Sequence, residues 1–374
     1  MFEEGLELKR QYGADQVFDF SLGNPVLEPP PQVADELRRL AAQPPAGLHR
    51  YMPNAGHPEV RARVAAYLAE DTGAALQADD IFMTCGAGGG LNIVLKALLD
   101  PGDEVVALAP FFPEYRFYAE NHGGRLVVAE TDDGFDLDAG LVEPVLTART
   151  RALIINSPNN PSGRLYSRQR LQQLGELLVR HGRRHGRVVT LISDEPYRKI
   201  VFDGQSLPPV FAAYPNSVLV NSHSKDLGLA GERIGYVAVG PEHEDRAQLR
   251  DALAFTNRIL GFVNAPALFQ RVAAACQEGS VPVEHYQQLR DLFCDGLDQA
   301  GIEYVRPQGA FYIFPRTPGA DDLEFVQALL RERVLVVPGA GFGRPGHFRI
   351  SFCVTRREIE GALPAFRRVM GRQA

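Results

Sequence analysis

The sequence predicts an α/β chain: three layers in which a mainly parallel sheet is covered by helices on both faces, with a smaller α+β unit beside it. Three observations predict it. From Ile81 to Val239 short apolar runs alternate with helical stretches across short links, the pattern of parallel strands joined by crossover helices. Past Gly240 the pattern changes to long helical stretches followed by short strands. Finally, 374 residues exceed what one hydrophobic core usually supports.

The elements follow in order. Residues 2–11 read as a helix, followed by a loop with Gly23-Asn24-Pro25 and Pro29-Pro30-Pro31. A short helix is expected over 32–42, and Gln43 to Gly56 is broken again by proline and glycine. Val60, Val64, Tyr67 and Leu68 make one stripe of a helix over 58–70. Ile81 to Thr84 is a strand, Cys85 to Gly90 a glycine-rich turn, and Leu91 to Leu99 a helix stopped by Asp100-Pro101-Gly102. Further strands are expected at 104–109, 126–129, 152–156, 188–193, 217–221 and 236–239, with a helix over 168–180. Beyond these, helices are expected over 243–259 and 266–300, then strands at 310–314, 334–337 and 347–352. The boundary is placed near Gly240, so that residues 45–241 form the larger unit and residues 1–44 with 242–374 the smaller.

Composition narrows the function. Lys and Arg total 39 against 46 Asp and Glu, a net charge of −7 with no long basic run, which argues against nucleic acid as a partner. No apolar run approaches a bilayer span, and the acidic start MFEEGLELKR does not resemble an export signal, so the expected compartment is the cytoplasm. Cys85, Cys276, Cys294 and Cys353 are too scattered for metal knuckles and read as reduced thiols. His181 and His185 share a helix face but sit among arginines that would repel a metal ion. The only lysines are Lys9, Lys96, Lys199 and Lys225, so a lysine-dependent chemistry has four candidates.

Each chemical motif falls where a strand hands over to a loop, which is where a parallel sheet presents groups to a ligand. Gly86-Ala87-Gly88-Gly89-Gly90 before a helix offers backbone N–H groups to a phosphate, and equally reads as a tight strand–helix turn; it lacks the GxGxxG spacing and the GK[ST] of a nucleotide loop. In Ser222-His223-Ser224-Lys225, with Arg233 eight residues on, the amine could form an imine with an aldehyde while the serine and arginine hold a phosphate; the plainer reading is a solvated loop lysine. Ser193-Asp194-Glu195-Pro196-Tyr197 places a carboxylate and a phenol at a strand end, and Ser157-Pro158-Asn159-Asn160-Pro161-Ser162-Gly163 makes another strand-end turn.

Together these motifs resemble the fold type I pyridoxal phosphate enzymes, specifically the class I/II aminotransferases, through nearly the whole chain. The resemblance implies pyridoxal 5'-phosphate as cofactor, carried by Lys225. It further implies Ser222, Arg233 and the backbones of Ala87 and Gly88 as phosphate ligands, Asp194 as partner of the ring nitrogen, and Tyr197 and Asn160 as partners of the ring hydroxyl. Phe112 would stack on the ring, Gly23 would lie over the substrate, and Arg349, in Phe348-Arg349-Ile350-Ser351, would clamp the α-carboxylate. Tyr51 would reach the phosphate of a neighbouring subunit, which implies a homodimer with shared sites. The implied reaction exchanges an amino group between an amino acid and a 2-oxo acid by a ping-pong mechanism. Carbon–sulfur lyases and decarboxylases share the constellation and are the alternative; a non-catalytic module and a dinucleotide oxidoreductase fit less well. Two departures from the family pattern stand out: His223 replaces an apolar or aromatic residue, and Gly88 replaces the lysine of some dicarboxylate-specific members. Arg258 is a further candidate for a substrate's distal carboxylate across the dimer.

Overall fold

The computed structural model describes residues 2–319 and 321–371. The strands are β1 (Phe18–Asp19), β2 (Ile81–Thr84), β3 (Glu104–Ala109), β4 (Arg125–Glu130), β5 (Thr150–Asn156), β6 (Thr190–Asp194), β7 (Ser217–Ser222), β8 (Gly235–Val239), β9 (Tyr312–Ile313), β10 (Val334–Leu335), β11 (Val337–Pro338) and β12 (Phe348–Ser351). Seven form one sheet in the order β2-β8-β7-β6-β5-β3-β4. Only β8 runs against its neighbours; the remaining pairs are parallel. The expected mainly parallel sheet is therefore present, and β2, β3, β5, β6 and β7 all end at one edge.

Helices cover both faces, for reasons local to the sequence. Arg168–His185 opens on Ser167, whose hydroxyl accepts from the Arg170 N–H, and closes on Gly186 at φ 62°, a left-handed stop that glycine adopts without strain. The helix Gly86–Leu98 begins inside the stretch expected to be a turn. Four glycines at its start cost about 1 kcal/mol each. Burial of Leu91, Ile93, Val94, Leu95 and Leu98, at about 1.5–3 kcal/mol per side chain, outweighs that. Small size is also needed there: a Cβ on Gly90 would lie 2.8 Å from Val220 and 3.1 Å from Val237.

The hydrophobic interior falls into separate clusters. Two sandwich the large sheet. A third gathers Phe20, Tyr286, Phe293, Phe311, Phe348 and Phe366 over the antiparallel set β11-β12-β9. The chain start joins this third cluster, because β1 pairs in parallel with β10 and the Phe20 carbonyl accepts from the Ser351 N–H. Helices Arg246–Ile259 and Ala267–Ala275, expected with the smaller unit, pack on the large sheet instead: Leu249, Leu253, Val272 and Ala273 belong to its clusters, as do Val33 and Leu40. The helix expected over 266–300 is two helices, Ala267–Ala275 and Val283–Ala300, separated by a link containing Gly279 and Pro282. No helix among the described residues is long and apolar enough to cross a membrane.

Candidate active site

Strand register lines up the chemistry along one edge. Asn156 pairs with Asp194 at the ends of β5 and β6, and Ser222 pairs with Gly235, which also pairs with Thr84. Above this edge lies a cleft of about 470 Å³ between the large sheet and the third cluster. Eleven of the twelve sequence-predicted residues line it: Gly23, Ala87, Gly88, Phe112, Asn160, Asp194, Tyr197, Ser222, Lys225, Arg233 and Arg349. Tyr51 does not; it is 91% exposed on the surface. Arg258 is likewise exposed, in the last turn of its helix.

Asp194 is buried at the floor, and burial raises its carboxyl to about 7, with the Tyr115 hydrogen bond working against the shift and Glu195 adding to it. The Tyr115 hydroxyl donates to Oδ2 at 2.6 Å, whereas Oδ1 is buried without a hydrogen-bond partner. A buried carboxylate oxygen left unpaired is costly and normally marks a place for a donor. Asn156 braces the floor: its amide donates to the Asp194 carbonyl at 2.8 Å, and its side-chain oxygen accepts from the Asn160 N–H at 2.7 Å. The Tyr197 and Tyr312 hydroxyls share a hydrogen bond of 2.9 Å.

Lys225 enters from the loop after β7. Its Nζ donates to the Gly23 carbonyl at 2.6 Å. Burial lowers the amine to about 8; Cys353 opposes the shift, and the positive charges of Arg233 and Arg349 add to it. The adjacent His223 is buried and engaged elsewhere, with Asp226 at 3.1 Å and Gln277 at 3.2 Å.

At one end of the cleft Arg233 takes a left-handed backbone, φ 52°, and its guanidinium covers Gly86, where a Cβ would lie 2.7 Å from Nη2. Gly86 is itself at φ 69°, so that position requires glycine twice over. The first turn of the helix Gly86–Leu98, with its unsatisfied N–H groups, thus faces the cleft beside a cation, an arrangement suited to a phosphate. At the other end Arg349 donates from Nη1 to Asn160 Oδ1 at 3.1 Å and from Nη2 to the Ser21 carbonyl at 2.5 Å, and Nε has no partner. Its guanidinium lies between the rings of Phe342 and Tyr312, at 4.8 and 4.9 Å. No described carboxylate pairs with Arg349, so its charge is available to a ligand.

A family model for "Aminotransferase class I and II" matches residues 15–366. The chain belongs to the class I and II aminotransferases. A curated relative, the aspartate/prephenate aminotransferase of Thermus thermophilus, is 34% identical over 376 residues, covering 99% of this chain and 94% of its own. The aspartate aminotransferase of Geobacillus stearothermophilus is 31% identical, covering 100% and 95%. Among solved structures, an aminotransferase from Eubacterium rectale superposes with a TM-score of 0.97 at 40% identity, covering 99% of this chain and 94% of that one. The Thermus thermophilus aspartate aminotransferase with maleate gives 0.88 at 32%, covering 98% and 95%.

Class I and II aminotransferases use pyridoxal phosphate, and the cleft of this aminotransferase fits it. A protonated ring nitrogen would satisfy the unpaired Asp194 Oδ1, and the Gly86 turn with Arg233 offers donors to a phosphate at the opposite side from Arg349. Sequence reasoning missed Tyr115, Asn156, Tyr312, Glu114 and Tyr118, all set at or around this cleft. Tyr312 had a signal, since it lies within the strand expected over 310–314. Tyr115 lies three residues beyond Phe112, with which it makes an edge-to-face contact at 5.6 Å.

Proposed function

We propose that this aminotransferase works by a ping-pong mechanism in which Lys225 is both the tether of the cofactor and the group that moves the proton at the substrate α-carbon. The observation that carries the reading is the unpaired, buried Oδ1 of Asp194 facing the same cleft as the Lys225 amine. Bound there, pyridoxal phosphate supplies a carbonyl that captures an amino group and a ring that accepts the electrons left on the α-carbon.

The chain's residues divide the remaining work. Arg349 binds the α-carboxylate, using the Nε that lacks a partner, and Asn160 fixes its orientation. Asp194 holds a proton on the ring nitrogen; a carboxylate paired with that cation stays ionised more readily than its buried, unpaired state allows. Lys225 can accept a proton near neutral pH because burial has already lowered its amine to about 8. Tyr197 and Asn160 direct hydrogen bonds to the ring hydroxyl, Phe112 packs on the ring face, and Ser222, Arg233 and the N–H groups of Ala87 and Gly88 hold the phosphate. Tyr51 completes the phosphate site of a second subunit in a homodimer, a role that its exposure supports. The four unpaired cysteines support a reducing compartment, the cytoplasm.

Visible absorption tests the reading. Added pyridoxal phosphate should produce a band in the wild type that Lys225→Ala abolishes. An amino acid should remove the band and a 2-oxo acid restore it; absence of a lysine-dependent band refutes the role of Lys225. In the same assay Arg349→Lys, which loses the planar two-donor fork, should raise the amino acid KM on the order of 10- to 100-fold with a smaller fall in kcat.

A further inference from the structure

The cleft carries a charge that amino transfer does not use. Glu114 opens the helix Glu114–Glu120 and lines the cavity. Its place is set by the next residue, since Tyr115 is buried and hydrogen-bonded to Asp194 at the floor. The carboxylate makes no hydrogen bond or ion pair with any described side chain; it accepts from its own backbone N–H and feels the field of Arg349. Burial raises its carboxyl, the backbone hydrogen bond and Arg349 opposing the shift. It is thus an acid held in a partly desolvated wall without a committed partner.

The cations of the cleft are already engaged. Lys225, Arg233 and Arg349 are the ones that line it, and under the proposed function they take the cofactor, its phosphate and the α-carboxylate. The same cleft is lined by apolar and aromatic side chains, among them Leu22, Phe112, Tyr118, Val337 and Phe342. Among the described residues of one subunit, a second carboxylate on the substrate would find no lining cation left to pair with and one unpaired anion, Glu114, to repel it. Like charges about 6 Å apart at an effective dielectric near 20 disfavour binding by on the order of 100-fold.

We propose that Glu114 is a specificity-determining residue that turns away dicarboxylic amino acids and selects an amino donor whose side chain has an apolar stem ending in a hydrogen-bond donor, a phenol or an amine. The stem packs on the aromatic wall, and the terminal O–H or N–H donates to the Glu114 carboxylate. This rests on the proposed function for the groups that Lys225, Arg233 and Arg349 hold.

Calorimetric titration of the pyridoxal phosphate-loaded enzyme with two non-reacting acids tests it: maleate, with two carboxylates, and 3-(4-hydroxyphenyl)propanoate, with one carboxylate and a phenol. Binding is read whether or not amino transfer takes place, so a failed specificity claim is separable from a failed mechanism. The phenol acid should bind the wild type at least 10-fold more tightly than maleate. Glu114→Gln, which keeps the shape and removes the charge, should tighten maleate by about 10-fold or more and weaken the phenol acid; Glu114→Ala should do the same to maleate. Tighter binding of maleate than of the phenol acid by the wild type overturns the proposal. So does a ratio unchanged within about twofold in both variants. Should Glu114→Gln fail to fold, the wild-type ratio and Glu114→Ala still decide.

Discussion

The reactivity of Lys225 can be tested on the bare protein, before any cofactor is added. Its amine is lowered to about 8 from the ordinary 10.5. At pH 7 the neutral, nucleophilic fraction is then about 9% rather than about 0.03%, a gain of roughly 300-fold. The perturbation is pH, and the probe is a brief pulse of acetic anhydride read by peptide mass spectrometry. With only four lysines in the chain, each is followed separately. Exposed Lys96 reports that the reagent has been delivered. Lys225 should label with a midpoint near pH 8, and pyridoxal phosphate should protect it. Access limits the absolute rate, so the decisive quantity is the midpoint and not the speed. A midpoint at or above the ordinary 10.5 would refute the reasoning, because burial and the charges of Arg233 and Arg349 would then not be acting on the amine.

Two further outcomes follow from the floor and the phosphate end. Asp194 has its folded-state value raised to about 7 from 3.8. The folded protein therefore binds more protons than the unfolded chain in that window, and cofactor-free stability falls as pH rises through it. Asp194→Asn should remove that slope, giving a cofactor-free protein more stable than wild type at pH 8 by up to about 4 kcal/mol and little different at pH 4, measured by urea unfolding. With cofactor present the same substitution should lower kcat/KM on the order of 100- to 1,000-fold, as loss of a preorganised charge does. Gly86→Ala places a Cβ on the Arg233 guanidinium and forces alanine into φ 69°. About 1–2 kcal/mol of strain should appear as a lower melting temperature, together with at least 10-fold weaker binding of pyridoxal phosphate in equilibrium dialysis.

What the sequence made legible here follows from the sheet. Asn160, Asp194, Ser222 and Lys225 follow or end strands, and a parallel sheet brings strand ends together whatever lies between them. Runs such as Ile81 to Thr84 and Ser217 to Asn221 are buried throughout, so their apolar centres, Ile81-Phe82-Met83 and Val218-Leu219-Val220, identify them. The helix start at Gly86 was illegible because intrinsic preference argues against it; the glycines are there to let the helix approach Val220 and Val237, a tertiary fact. Gly279 and Pro282 did signal a break, which the surrounding apolar period masked. Tyr115 and Glu114 stayed hidden in the aromatic stretch Phe111 to Tyr118, where periodicity cannot tell a wall residue from a core residue. Helices Arg246–Ile259 and Ala267–Ala275 look alike whichever core they serve, so their attachment to the large sheet could not be read from composition.

The reversed strand β8 has a consequence for how the reactive amine is held. Because β8 begins where β7 ends, Lys225 rides on a twelve-residue loop, residues 223–234, whose base is closed by the Ser222–Gly235 pair. Fixing both ends removes most of the loop's freedom before any ligand arrives. The amine is therefore a reactant kept at high local concentration by a short span of chain. Changes inside the span can retune it while leaving the sheet intact, whereas changes at the two base residues would disturb tether and scaffold together.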